Sequence, residues 1–126
     1  MMSSRFRSEA AHRFAERRQR EEEAPRLRDR VPSLASLRLD VTDRLGTTHA
    51  EPKYTRIVVV DVAPALFVLT CADRSCRDGG HDVTDAVLKG LLAGSTSFEL
   101  EHECSGDLGS TRCARSAHVT VSATYR

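Results

Sequence analysis

The chain has 126 residues, a formal net charge of +1, 40% hydrophobic residues and no Trp. This length fits one domain, and no apolar run approaches the roughly 18 residues of a membrane span. The near-neutral charge is unlike the strongly basic balance of typical nucleic-acid-binding domains. Seventeen Arg against two Lys is a composition that GC-rich bacterial genomes tend to produce, so the Arg content alone does not indicate nucleic-acid binding.

Residues 1–30 form a charged N-terminal region, with nine Arg and six acidic residues. Ser8 can cap a helix that runs to about Glu23, and several i,i+4 pairs of opposite charge support that helix. Its apolar face is thin, consisting of little more than Phe6 and Phe14. We therefore expect an arm, helical or disordered, that docks on a larger protein or ribonucleoprotein partner, followed by a domain over residues 31–126.

The first half of that domain has the patterns of strands. Apolar and polar residues alternate over Leu37–Val41, which predicts a half-buried strand, and a polar loop of residues 44–53 follows. Thr55–Val62 is rich in β-branched residues and predicts a central strand. After the break at Pro64, Ala65–Cys71 predicts a third strand.

The second half predicts one helix and two more strands. Asp82 and Asp85 are spaced to cap a helix that would end at Gly94. In Phe98–Cys104 apolar residues alternate with three Glu, and alternation recurs over Ala117–Tyr125. The predicted fold is α+β: a small, mostly antiparallel sheet of about five strands in the order β-β-β-α-β-β, with one packed helix and metal-stapled loops at one end.

All four cysteines lie in the second half of the chain, and one histidine accompanies them. The N-terminus has no apolar signal region, so we expect a cytoplasmic protein, and clustered cysteines in a reducing compartment more often bind metal than form disulfides. The spacing places paired ligands around a helix, as in structural Zn²⁺ sites. The candidate ligands are Cys71, Cys76, His81, Cys104 and Cys113.

Five candidates compete for four coordination positions. The all-cysteine set is favoured because thiolates are the stronger zinc ligands; the alternative is three cysteines with His81, and His102 is a weaker substitute. Two disulfides, Cys71–Cys76 and Cys104–Cys113, or an iron–sulfur cluster are other interpretations. A catalytic zinc would also need an open position and an acid–base neighbour, for which the nearby acidic residues are Asp73, Asp78, Asp82 and Glu103.

Arginines flank the candidate ligands on both sides, at Arg74, Arg77, Arg112 and Arg115. Gathered by a metal, they would form an anion-binding edge, or they would compensate the negative charge of a zinc–thiolate centre. No catalytic fingerprint is present. The leading expectation is a non-enzymatic binding or assembly module with a structural zinc site; the alternatives are a nucleic-acid-binding protein that uses the arginine edge, and a small zinc hydrolase or thiol-redox enzyme.

Overall fold

The computed structural model of the chain describes residues 2–45, 49–73, 75–77 and 79–126. Its architecture is α+β with mostly antiparallel strands, which confirms the predicted fold class. The elements in chain order are α1 (Met2–Glu23), α2 (Leu27–Arg30), β1 (Leu34–Leu45), β2 (His49–Val58), β3 (Val68–Leu69), β4 (His81–Asp82), α3 (Thr84–Leu92), β5 (Ser97–Glu103) and β6 (Arg115–Tyr125).

The main sheet has four antiparallel strands in the order β2-β1-β6-β5. The long strand β1 lies at its centre, where Leu39 pairs with Arg56 of β2 on one side and with Val121 of β6 on the other. The strands β3 and β4 pair only with each other and form a separate two-stranded ribbon. The ribbon carries the chain from the sheet toward α3.

The hydrophobic core lies on one face of the main sheet. Alternate residues of β1 and β6 point into it, including Leu39 and Val119, both fully buried. The helix α3 contributes Val87, Leu88 and Leu91 to the same core. This arrangement follows from the two-residue period of the strands and the helical spacing of α3, each of which gathers apolar residues on one side.

The strand β2 differs from the central strand predicted over Thr55–Val62. It lies at the edge of the sheet and ends at Val58, and Ile57, Val59 and Val62 are exposed. The predicted loop over residues 44–53 is also shorter, because β1 extends to Leu45 and β2 begins at His49. A β-branched run predicts extended backbone in either position and cannot distinguish an edge from a centre.

The predicted third strand, Ala65–Cys71, is a strand only at Val68–Leu69 and does not join the main sheet. Its partner β4 is an additional strand just before α3. The helix α3 begins at Thr84, with Val83 as N-cap and no side-chain cap. Asp82 instead accepts a hydrogen bond from the Thr84 N–H across an Asx-type turn. The helix ends before Gly94 (φ 76°), as predicted.

The N-terminal helix α1 begins earlier than the predicted cap at Ser8 and ends at Glu23, as expected. The chain then returns to the body through backbone hydrogen bonds from Leu27 N–H to Ala63 and from Ala65 N–H to Pro25. Leu27 of the short helix α2 is completely buried in the core. The division of the chain at residue 30 stays a prediction, and the packed core extends back to Leu27.

Candidate metal centre

Two loops bring the four cysteines to one end of the molecule. Cys71 and Cys76 belong to the connection between β3 and β4, whereas Cys104 and Cys113 flank the turn between β5 and β6. Cys104 N–H donates to Arg115 and Cys113 N–H to Gly106, which closes the second loop. The β5–β6 hairpin therefore holds Cys104 and Cys113 at the same end of the molecule.

Backbone hydrogen bonds join the two loops to each other. Arg77 N–H donates to the Asp107 carbonyl at 2.8 Å, and Asp107 N–H donates to the Arg77 carbonyl at 3.1 Å. Such a reciprocal pair fixes one loop against the other, as two residues of an antiparallel sheet are fixed. The cysteines of both loops consequently face a common centre.

The four sulfur atoms all lie within 4.8 Å of one another. The Sγ atoms of Cys71 and Cys113 are 3.8 Å apart, and those of Cys76 and Cys104 are 3.6 Å apart. A metal ion with four tetrahedral sulfur ligands at about 2.3 Å has sulfur–sulfur edges of about 3.8 Å. The cluster therefore has the dimensions of a site for one ion, and the four cysteines could hold a metal.

All four cysteines are free thiols. Their closest sulfur pairs lie well beyond the roughly 2.05 Å of a disulfide bond. These pairs also join one loop to the other, whereas the sequence alternative of two disulfides paired Cys71 with Cys76 and Cys104 with Cys113.

His81, the alternative fourth ligand, is not part of the cysteine group in the described chain. It lies in β4 and is buried, with its Nδ1 atom 3.0 Å from Nδ1 of His102. The two rings meet edge to face with centroids 5.2 Å apart. The structure thus brings the two histidines to each other and the four cysteines to one another.

The thiols of Cys71, Cys76 and Cys104 differ in how their surroundings shift the pKa. Burial raises the pKa of Cys71 to about 11 and also raises the pKa of Cys76. Burial acts in the same direction on Cys104, but hydrogen bonds from the N–H groups of Gly106 and Gly80 lower the pKa of that thiol overall. A bound divalent cation would favour the thiolate form of all four, because its charge offsets their mutual repulsion.

Two glycines leave the room that the sulfur atoms occupy. A Cβ atom at Gly79 would lie 2.2 Å from Sγ of Cys76 and 2.8 Å from Sγ of Cys104. At Gly106 it would lie 2.4 Å from Sγ of Cys76 and 2.5 Å from the Arg77 carbonyl. Only glycine allows the backbone to pass this close to the sulfurs. The role of these two glycines beside the sulfurs was not predicted from the sequence, because it depends on contacts between distant loops.

The four predicted arginines have different surroundings. Arg115 Nη1 donates to Asp43 Oδ1 at 3.0 Å in a largely buried ion pair, so its guanidinium is engaged inside the protein. Arg77 and Arg112 are exposed, and each forms a backbone bridge with Asp107. Arg74 lies outside the described residues. Of the predicted arginine edge, the described part of the chain therefore presents Arg77 and Arg112 at the surface beside the cysteines.

Asp43 is a residue of this region that the sequence analysis missed. It is 3% exposed, and its Oδ2 atom accepts a hydrogen bond from the N–H of Ala72, next to Cys71. Asp43 thus ties the first cysteine loop and Arg115 to β1. The sequence could have indicated this role, because Asp43 lies two residues after Val41 and therefore on the same, buried face of the strand. A carboxylate on a buried face requires a partner.

Comparison with known proteins assigns the chain to no family. No family model matches it, and neither a curated protein nor a solved structure has significant similarity to it. Within the residues that the structure describes, no helix combines the length and the apolar character needed to cross a membrane.

Proposed function

We propose that the four cysteines bind one structural zinc ion in a non-enzymatic binding or assembly module. The observation that carries the proposal is the sulfur geometry, with all four Sγ atoms within 4.8 Å and the closest pairs at 3.6 and 3.8 Å. Zinc prefers this tetrahedral arrangement of thiolates in structural sites. The ion would join the two cysteine loops, which otherwise share a reciprocal backbone hydrogen-bond pair at Arg77 and Asp107.

The spacing of the sulfurs favours one ion over a multinuclear cluster. In an iron–sulfur cluster several irons and inorganic sulfides lie between the thiolates. Cysteine sulfurs that surround such a body must be farther apart than the edges of a tetrahedron around one ion. Closest pairs at 3.6 and 3.8 Å therefore support mononuclear binding.

A set of four thiolate ligands also supports a structural role over a catalytic one. Catalytic zinc keeps a position open for water or substrate, whereas a tetrahedral ion with four protein ligands has none. Of the candidate acids, Asp82 accepts a hydrogen bond from the Thr84 N–H and pairs with Arg20, and Asp78 lies outside the described residues.

We further propose that α1 docks on a macromolecular partner, a larger protein or a ribonucleoprotein. The described side chains of residues 11–23 are all exposed, and Phe14 is 62% exposed. The helix meets its own body through an exposed ion pair between Arg20 and Asp82, and through Arg17 at the Val68 carbonyl. Exposed ion pairs contribute about 0–1 kcal/mol, so a partner surface can replace these contacts.

Nucleic-acid binding is the second candidate, supported by the exposed pair Arg77 and Arg112 on either side of Asp107. Two guanidinium groups release few counterions, so the affinity for generic RNA or DNA should be low and fall with salt. A matched comparison of Arg112→Gln with Arg38→Gln, on a distant part of the sheet, tests this candidate. If both variants bind generic RNA or DNA with equal affinity, the arginine edge is not the nucleic-acid-binding site.

The zinc proposal is tested by elemental analysis of the purified protein together with a count of reactive thiols. One zinc per chain, with thiols that react only after a chelator is added, supports it. A metal-free protein with four freely reactive thiols contradicts it. The docking proposal is tested separately, by cross-linking in extract with the full chain and with a chain that lacks residues 2–23. A partner captured equally by both rules out docking through α1.

A further inference from the structure

A cavity of about 460 Å³ lies between the arm helix α1 and the body of the protein. Its lining includes the apolar side chains of Val41, Val68 and Leu69 together with Tyr54, Arg56 and Arg17. The volume falls in the range of about 300–1,000 Å³ that is typical of small-molecule sites. A mixed lining of this kind suits a ligand with an apolar body and a polar group.

Arg56 is the most informative residue of the lining. It lies on β2 opposite the buried Leu39, in the same phase as the buried Val58, and is itself half-buried. No hydrogen bond or ion pair links its guanidinium to another described residue. A guanidinium group that lines a cavity can pair with an anion supplied from outside.

The two acidic residues of the lining do not supply that anion. Asp43 already accepts hydrogen bonds from Arg115 and from the Ala72 N–H. Glu21 is exposed on α1, where water stabilises its charge. Arg56 therefore lines the cavity without a carboxylate partner among the described residues.

Arg17 of α1 supplies a second cation to the lining. Its Nη2 atom reaches the Val68 carbonyl only at 3.4 Å, which leaves most of its donors available. Both Arg56 and Arg17 lie near Tyr54, where their charges oppose the rise that burial causes in the pKa of that phenol. Two guanidinium groups thus converge on one space beside an aromatic ring.

We propose that this cavity binds a small amphipathic anion. A carboxylate or another single anionic group would lie between Arg17 and Arg56, and the apolar body would cover Val41, Val68 and the ring of Tyr54. Guanidinium groups bind such planar anions through paired hydrogen bonds. Because Arg17 belongs to α1 and Arg56 to β2, the ligand would connect the arm to the body. This inference does not depend on the identity of the metal, and it concerns α1 in the position that the helix holds against its own body.

The test uses the full chain and anilinonaphthalene sulfonate, a fluorescent probe with an aromatic body and one anionic group. We expect saturable binding of one probe per chain and displacement by octanoate, but not by octanol at the same concentration. Arg56→Gln and Arg17→Gln should each weaken binding about tenfold, the loss expected for a hydrogen bond to a charged group. Arg38→Gln is the matched control, because Arg38 is exposed and paired with Asp40 outside the cavity.

Arg17 keeps the test independent of folding, since its side chain is on an exposed helix and its loss leaves the core intact. Probe binding that does not saturate would overturn the proposal. Equal affinity for the wild type, Arg17→Gln and Arg56→Gln would overturn it as well, and so would displacement by octanol as effective as that by octanoate.

Discussion

The Sγ atoms of Cys76 and Cys104 lie 3.6 Å apart although 28 positions separate the two residues in the chain. Each belongs to a different loop, and the pair Cys71 and Cys113 repeats the relationship at 3.8 Å. A metal ion bound by these sulfurs would therefore close two long segments of chain at once. Crosslinks of this kind stabilise a fold mainly by restricting its unfolded state.

Replacing one ligand should release the metal and destabilise the domain. For Cys76→Ser we expect less than one bound zinc per chain and a fall in the free energy of unfolding on the order of 3 kcal/mol or more, because zinc binding contributes strongly to the folding of small domains. Urea unfolding monitored by circular dichroism, with metal analysis of the same samples, measures both. Ser105→Ala, an exposed change beside Cys104, should alter neither; full zinc occupancy in Cys76→Ser would contradict the four-cysteine site.

Chelation should act on the wild type as the ligand substitution does. Added EDTA should lower the midpoint of thermal unfolding, and zinc restored in excess of the chelator should recover it, since a ligand that binds only the folded state stabilises it by mass action. Differential scanning calorimetry measures the shift. The chelated protein must be verified as metal-free. If its midpoint then equals that of the untreated protein, a stabilising metal is excluded.

Gly79 should be essential for the metal site. A methyl group there would overlap Sγ of Cys76, so Gly79→Ala should reduce zinc affinity by more than about tenfold through displacement of a ligand. Gly94→Ala is the control. A Cβ atom added at this position would meet no atom within 4 Å, and only the positive φ of 76° opposes the change. The control should lose about 1 kcal/mol of stability and keep its zinc. Competition with a chromogenic chelator measures the affinity of both variants.

Asp43 should stabilise the fold through its buried pair with Arg115. Asp43→Asn removes the carboxylate charge of a largely buried ion pair with Arg115, and breaking such a pair costs about 3 kcal/mol. Asp40→Asn, in the exposed pair with Arg38, should change stability little. Denaturant unfolding of the two variants provides the comparison. Equal effects at the two positions would mean that the Asp43–Arg115 pair does not stabilise the fold more than a surface pair does.

His81 should make the protein less stable in acid. Burial lowers its pKa in the folded state, and the neighbouring His102 lowers it further, so the unfolded chain binds a proton at His81 more readily. Stability should therefore decrease as the pH falls below about 6.5, the ordinary value for histidine. In His81→Gln this part of the pH dependence should disappear, while acid protonation of the thiolates affects both proteins. Unfolding curves from pH 7.5 to 5 give the difference; parallel curves would refute the assignment to His81.

Much of the fold was predictable because β1, β5, β6 and α3 show clear periodicity. Leu37–Val41 and Phe98–Cys104 alternate with a period of two, and the strands lie there. The segment Ala65–Cys71 misled for a physical reason. Ala65, Phe67 and Leu69 are buried, with Phe67 at 0% exposure, but mostly in irregular chain that packs on the core outside the main sheet. Burial explains the apolar residues there, and sheet pairing does not.

The residues of the candidate site could be identified from the sequence, since four cysteines in two spaced pairs favour a metal site or disulfides. The tertiary structure alone decided the geometry: the sulfurs pair across the loops, His81 turns to His102, and Arg115 turns inward to Asp43. It also decided that Arg17 and Arg56 share a cavity. The reason is that sequence spacing governs contacts within a strand or a loop, whereas contacts between distant segments depend on how the sheet, ribbon and helices pack.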